Sequence, residues 1–282
     1  MSIRRALLLI LLFVSIVFPK AAISAEKPLW ELGVGFSALL LPDYRGSDEY
    51  RLYPLPYPYL VYRGDVLKVD EHEISGRIFK TDRILLDVSV YGYLPVKSSN
   101  NTARQGMEDL DPTFEIGPAI KIKLLESKED KYRMNLTLPV RAVFSTNFKS
   151  VSHEGWVISP RINFEKDDII PQTGLNLGIS AGPMFADRGY HEYTYTVEPA
   201  YATATRPAYS AGGGYSGSTL SIGLSKEYKQ FIFSGFVSAD FLQGAAFENS
   251  PLVKTDTSFM TGISITWVFF KSVKTVVVDK YK

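Results

Sequence analysis

The chain contains no cysteine, so neither disulfide staples nor thiolate metal sites hold it together. Histidine is nearly as scarce. His72, His153 and His191 are the only three, which confines any imidazole chemistry to three places. A formal net charge of +1 over 282 residues offers no field to gather nucleic acid. Past the first 25 residues no apolar run approaches the roughly 20 residues of a membrane-spanning helix. An unstapled chain of this size needs a large sheet, and if it enters a membrane it does so as strands.

The N-terminus reads as a secretory signal. Arg4 and Arg5 precede an apolar run over residues 6–18, and Ile23-Ser24-Ala25 is a small-residue exit that places cleavage before Glu26. The domain plan is a cleaved signal at 1–25, one body at 26–270 and a basic extension at 271–282. No cysteine lies near the cleavage point, which excludes a bacterial lipoprotein anchor.

What is plentiful is alternation. Leu175, Leu177, Ile179 and Ala181 interleave with Asn176, Gly178, Ser180 and Gly182; Met134, Leu136, Leu138 and Val140 interleave with Asn135, Thr137, Pro139 and Arg141. Successive strand residues point to opposite faces, so each such run has an oily and a wet face. Strand-like runs fall at 30–40, 51–62, 83–94, 113–124, 132–144, 156–165, 175–185, 218–228, 231–242 and 259–270. A two-sheet sandwich also alternates, but strands of about 10 residues repeating along an exported chain favour an all-β, closed antiparallel transmembrane barrel. The 17 Tyr and 17 Phe suit its aromatic girdles.

Connections alternate in length. Residues 126–131, 167–172 and 229–230 are short and polar, whereas 95–112, 146–155, 187–217 and 243–257 are long, which sets turns in the periplasm and loops outside. Strand parity then requires residues 66–80 to go out and return. A short hairpin there gives 12 strands, and a non-spanning excursion gives 10. Pro54, Pro56 and Pro58, two apart, strip donors from one side of their strand. One seam should be weakly paired, with a local opening or a loop-covered seam beside this strand; a flattened girdle stretch with water supplying the bonds is the alternative.

Chemistry has few footholds. Ser152, His153 and Glu154 are adjacent in a predicted outer loop, and adjacent residues on an extended segment point apart, so they form no triad among themselves. His191 with Asp187, Glu192 or Glu198, and the acidic run Glu108, Asp109 and Asp111, are the candidate cation sites; a solvated acidic loop is the plainer account of the second. Gly212-Gly213-Gly214 lacks the Lys-Ser/Thr that a phosphate cradle needs. No catalytic residue, cofactor or metal is assigned. Tyr190, His191, Tyr193, Tyr195, Tyr201, Arg206, Tyr209 and Tyr215 form a candidate surface or lid at the barrel mouth. Assigning oily faces to lipid puts Asp87, Glu115, Lys121, Lys123, Arg141, Arg161, Asn163, Glu165 and Asp240 inside. Charges of both signs there are expected to pair across the lumen, which favours a filled interior, or at most a narrow aqueous path, over a selective pore. Ile263, Ile265, Trp267 and Phe269 share one face of the last strand, and the chain after it is a periplasmic tail or an extra paired strand.

Several segments together resemble the MltA-interacting protein/OmpV family of Gram-negative outer-membrane proteins: residues 42–50 followed by Tyr53-Pro54-Leu55-Pro56, then 109–118, 138–144, 182–187 and 190–217. The resemblance implies an outer-membrane barrel, in contact with lipid and lipopolysaccharide, named for a member thought to join a periplasmic lytic transglycosylase to a murein synthase. It carries no catalytic motif to transfer. The expectation is therefore a non-enzymatic scaffold; a narrow solute or drug channel, a surface-recognition barrel and a lipid-modifying hydrolase are the alternatives.

Overall fold

The computed structural model describes residues 26–64, 67–69, 74–76, 79–81 and 83–277. The signal segment, His72 and the last five residues lie outside the described residues. Within them every strand pairing is antiparallel. Strand β1 (Glu26–Pro28) is followed by β2 (Trp30–Pro42), β3 (Tyr50–Arg63), the short β4 (Leu67–Val69), β5 (Ile74–Gly76) and β6 (Phe79–Lys80), then β7 (Ile84–Tyr93). Next come β8 (Thr113–Ser127), β9 (Tyr132–Thr146), β10 (Val151–Ile158), β11 (Arg161–Lys166) and β12 (Leu175–Ala186). Helix α1 (Arg188–Tyr195) interrupts the series before β13 (Gly214–Tyr228), β14 (Phe231–Phe241), β15 (Thr257–Lys271) and β16 (Thr275–Val277).

Neighbours in sequence are neighbours in the sheet, and β15 pairs back onto β2 in register Ile265↔Phe36. The path runs from β5 through β4, β3, β2 and β15 round to β7 and β6. Its two ends are consecutive pieces of chain: β5 pairs β4, β6 pairs β7, and β5 also lies within 8 Å of β7. This stretch therefore brings the ends of the sheet together. Among the described residues, with β5 and β6 counted as one strand and β10 and β11 as another, the sheet path has 12, the number the short hairpin gives.

The pleat sorts the side chains. Val34, Phe36, Leu40, Ile116, Ile120, Leu220, Ile222, Ile263 and Ile265 are exposed on the outside, while Asp87, Glu115 and Asp240 are buried inside. That is a greasy exterior around a polar interior, the inverse of a soluble core. Among the described residues the long connections 94–112, 187–213 and 242–256 lie at one end, with the short 147–150, and 128–131, 167–174 and 229–230 lie at the other.

Two local readings are corrected. Residues 151–155, expected in a loop, belong to β10, which pairs with β9 through a bulge between His153 and Gly155. The run 156–165 is not continuous, because Pro160, which has no N–H to give, breaks it into β10 and β11 while the register to β9 is kept on both sides. The tail is not loose as far as it is described: β16 pairs with β1, Val276 opposite Lys27, in a separate two-stranded sheet beside the turn end.

Candidate functional site

The loop end is closed by a lid with its own core. Residues 43–49, 94–112, 187–213 and 242–256 meet over the mouth, burying Tyr44, Val96, Leu110, Tyr195, Val197, Leu242, Phe247 and Leu252 together. Phe247 and Leu252 are fully buried, unusual for loop residues and a mark of loops that pack on one another. Helix α1 organises the contact. Asp187 caps it, its Oδ1 accepting from the Tyr190 N–H at 3.1 Å. Gly155 of β10 sits at φ +135°, and a Cβ there would lie 2.1 Å from that same carboxylate oxygen, so only glycine lets the helix dock here.

Three buried arginines tie the lid to itself and to the wall. Arg45 donates to the Ser216 carbonyl at 2.7 Å and pairs with Asp240 of β14 at 3.2 Å; Gly217, at φ +92°, leaves the room this guanidinium needs. Arg104 donates to the carbonyls of Thr194 and Glu108. Arg206 donates to those of Tyr201, Ala103 and Gln105. Guanidinium geometry suits this work, since one planar fork satisfies several carbonyls that would otherwise be buried unpaired.

His191 is wholly buried at the centre. Its Nδ1 lies 2.5 Å from the Gly212 carbonyl and its Nε2 2.6 Å from Ser216 Oγ. The carbonyl can only accept, so Nδ1 carries the proton and Nε2 accepts from the serine. Burial lowers the imidazole pKa, the Gly212 bond opposing it. This is a serine–histidine pair with a backbone carbonyl where a triad has a carboxylate, and Phe247 covers the ring at 4.8 Å between centroids. Burial likewise pushes the Tyr193 phenol up to about 12 and raises that of Tyr44.

The candidate loop residues divide. Tyr190, His191, Tyr193, Tyr195 and Arg206 are built into the lid; Tyr201 and Tyr209 pack on its edge, and Tyr215, half-buried, bonds Ser218 within β13. His153 packs between Phe144 and Trp156 on β10, and Glu154 accepts from Ser145, so Ser152, His153 and Glu154 do not meet. Asp109 is committed to the Ser98 N–H at 2.7 Å. Among the described residues no cluster of three His, Asp or Glu side chains could hold a metal ion.

Below the lid the inward charges pair, though mainly along the wall. Glu115 accepts from Arg141 Nε at 2.7 Å, Lys121 lies 3.3 Å from Asp87, and Arg133 pairs with Glu165, each between adjacent strands. Lys123 pairs with Glu126, and Asn163 bridges Thr137 and Ser180. Of the candidate lumen charges, Asp240 is the one that pairs with the lid, through Arg45, among the described residues. Side chains opposite one another on neighbouring strands are already about 5 Å apart, so pairing there costs less than stretching across the lumen. Arg161 faces inward between them. The sequence did not reveal Arg45, Arg104 and Arg206 as a set, nor Phe247 and Leu252; their one visible signal is apolar and arginine residues inside otherwise polar loops.

The protein-family model of "MltA-interacting protein MipA" matches residues 34–269. The chain belongs to the MipA family. With its greasy exterior this MipA-family chain is an outer-membrane barrel. No curated protein matches it. Among solved structures it is similar to a "bacterial polysaccharide outer membrane secretin" at 9% identity, covering 86% of this chain and 99% of that one with a TM-score of 0.41. It is also similar to the outer membrane protein OprG from Pseudomonas aeruginosa (9% identity, 86% and 94% covered, TM-score 0.24). A Pseudomonas aeruginosa FadL homologue gives 8% identity, 86% and 91% covered and a TM-score of 0.30.

Proposed function

We propose that this MipA-family barrel is a non-enzymatic scaffold that holds a periplasmic murein enzyme at the outer membrane through its turn end. The supporting observation is the β1–β16 sheet, Glu26–Pro28 with Thr275–Val277, an ordered platform where the barrel otherwise offers turns. The platform is tied down: Thr275 Oγ1 donates to Glu26 at 2.9 Å, Lys27 pairs with Glu227 at 3.1 Å, and Glu31 on β2 gathers Arg63 and Lys271 at 2.6 and 3.1 Å. The lid and the paired lumen speak against a solute channel, and the covered Ser216 against a hydrolase. The family's name, MltA-interacting protein, supplies the partner, and the resemblance implies that this partner is a lytic transglycosylase.

The test is capture of a purified lytic transglycosylase by the detergent-solubilised barrel, full length against a chain ending at Lys271. The proposal expects capture by the first and at least a tenfold loss in the second. Equal capture removes the platform from the account, and no capture by either removes the scaffold.

A further inference from the structure

Each acid among the inward charges is matched to a cation. Glu115 accepts from Arg141 at 2.7 Å, Asp87 lies 3.3 Å from Lys121, Glu165 pairs with Arg133, and Asp240 is held by Arg45 at 3.2 Å. Glu154, toward the lid, is taken by Ser145 at 2.6 Å. Arg161 is left over. Among the described residues it makes neither a hydrogen bond nor an ion pair, although β9 and β12, which flank its strand, are described along their whole length. A half-buried guanidinium with five N–H donors therefore stands in the lumen without an acid.

The local sequence keeps this group uncovered. Stepping the register on from Ile162↔Ala181 sets Gly182 of β12 beside Arg161, and a Cβ there would meet the Pro160 carbonyl oxygen at 1.9 Å and Arg161 Cα at 3.0 Å. No side chain can therefore reach over the guanidinium from that strand. On the other flank Thr137 stands opposite, and its Oγ1 accepts from Asn163 at 2.9 Å. Tyr91, inward on β7, brings a hydroxyl into the same field. Its ring is held by the Arg141 guanidinium at 5.8 Å, and of the charges acting on its phenol Arg161 is the strongest, ahead of Glu115, Asp240 and Arg141. The arc of wall from β7 to β12 that carries all these groups is described without a break.

Exposure along this arc shows how the group is reached. Toward the lid the side chains of Glu115 and Arg141 are 0% and 6% exposed, whereas toward the turns those of Arg133 and Glu165 are 29% and 41% exposed. Arg161, opposite Thr137, stands midway between these levels. The lumen is thus dry above it and wet below it. We propose that Arg161 is a binding site for an oxyanion group, carboxylate or phosphate, of a solute that enters the lumen from the turn end. The guanidinium fork takes two oxygens of either group, and the Tyr91 hydroxyl donates to the same group. Because the lid shuts the lumen above, the solute leaves as it came, so the site is a receptor and not a passage. It is independent of the scaffold role and rests on the barrel and its lid.

The test titrates the detergent-solubilised barrel, at constant ionic strength, with trifluoroacetate followed by its fluorine resonance and with inorganic phosphate followed by its phosphorus resonance. The proposal expects saturable line broadening of at least one of the two, and the ion that saturates identifies the group. Arg161→Gln should weaken that binding at least tenfold and Tyr91→Phe at least threefold, whereas Lys149→Gln, at an exposed lysine of the turn after β9, should leave it unchanged. No saturable binding of either ion by the native chain overturns the proposal. So does binding by Arg161→Gln within twofold of the native chain, or an equal loss at Lys149→Gln. If Arg161→Gln loses the heat-modifiable migration of a folded barrel, Arg161→Lys, which keeps the charge and lacks the fork, should bind at least threefold more weakly, and native-like binding by it overturns the proposal.

Discussion

Tyr195 and Phe247 lie face to face, ring centroids 3.7 Å apart and planes within 6° of parallel, so the end of α1 is stacked on the loop between β14 and β15. Two connections more than 50 residues apart in sequence become one body through this pair. Phe247 also covers His191 and is fully buried, which makes it the centre of the lid.

Truncating that centre opens the lid and leaves the wall. Phe247→Ala removes a buried ring at a cost of about 3–5 kcal/mol, spent within the lid because strands β13 and β14 are held by their own ladder. Limited proteolysis of the reconstituted protein is expected to cut within residues 187–213 and 242–256 at least tenfold faster in the variant, with unchanged barrel migration. An unchanged cleavage rate would show that the lid is not held by this stack.

Acid loosens the same body. The buried imidazole of His191 has a lowered pKa, whereas in an opened lid it returns to about 6.5. The opened form therefore binds more protons between the two values, so stability rises with pH across that window. The contribution is complete above about pH 6.5 and is lost as pH falls toward the depressed value. Hydrogen-exchange protection in residues 188–213, after the intrinsic rate is divided out, is expected to fall as pH is lowered from 7.5 to 5. His191→Asn should flatten this dependence; a variant with the same pH response as the native chain assigns it elsewhere.

The Arg141–Glu115 pair gives the lumen its clearest energetic signature. Arg141→Met leaves the Glu115 carboxylate, which is 0% exposed, without its 2.7 Å partner, a loss of about 3–5 kcal/mol. The double variant Arg141→Met with Glu115→Leu removes both charges and should recover most of it. Urea unfolding in lipid vesicles measures both, and a double variant no more stable than the single one would mean that the pair is not the source.

The strands were legible because the membrane imposes one rule on every residue of the wall: Phe36, Ile222 and Ile265 face hydrocarbon and Ser37, Ser221 and Ser264 do not. The lid was not. Helix α1 reads Arg-Gly-Tyr-His-Glu-Tyr-Thr-Tyr, poor in helix formers, and exists because Asp187 caps it and Phe247 packs on it from a segment 50 residues away. Arg104 and Arg206 bond to backbone carbonyls, which carry no side-chain identity to match, and Arg45 does so beside its pair with Asp240. In the lumen the residue types were visible and the partners were not, because adjacency of strands, unlike alternation, is set by register.

The central claim is a membrane barrel whose mouth is shut by packed loops, and single-channel recording in planar bilayers tests it most directly. The native chain is expected to give no conductance steps, and a chain with residues 188–213 replaced by a short Gly-Ser turn, folded by its migration, is expected to give them. Stable open steps from the native chain would contradict the account.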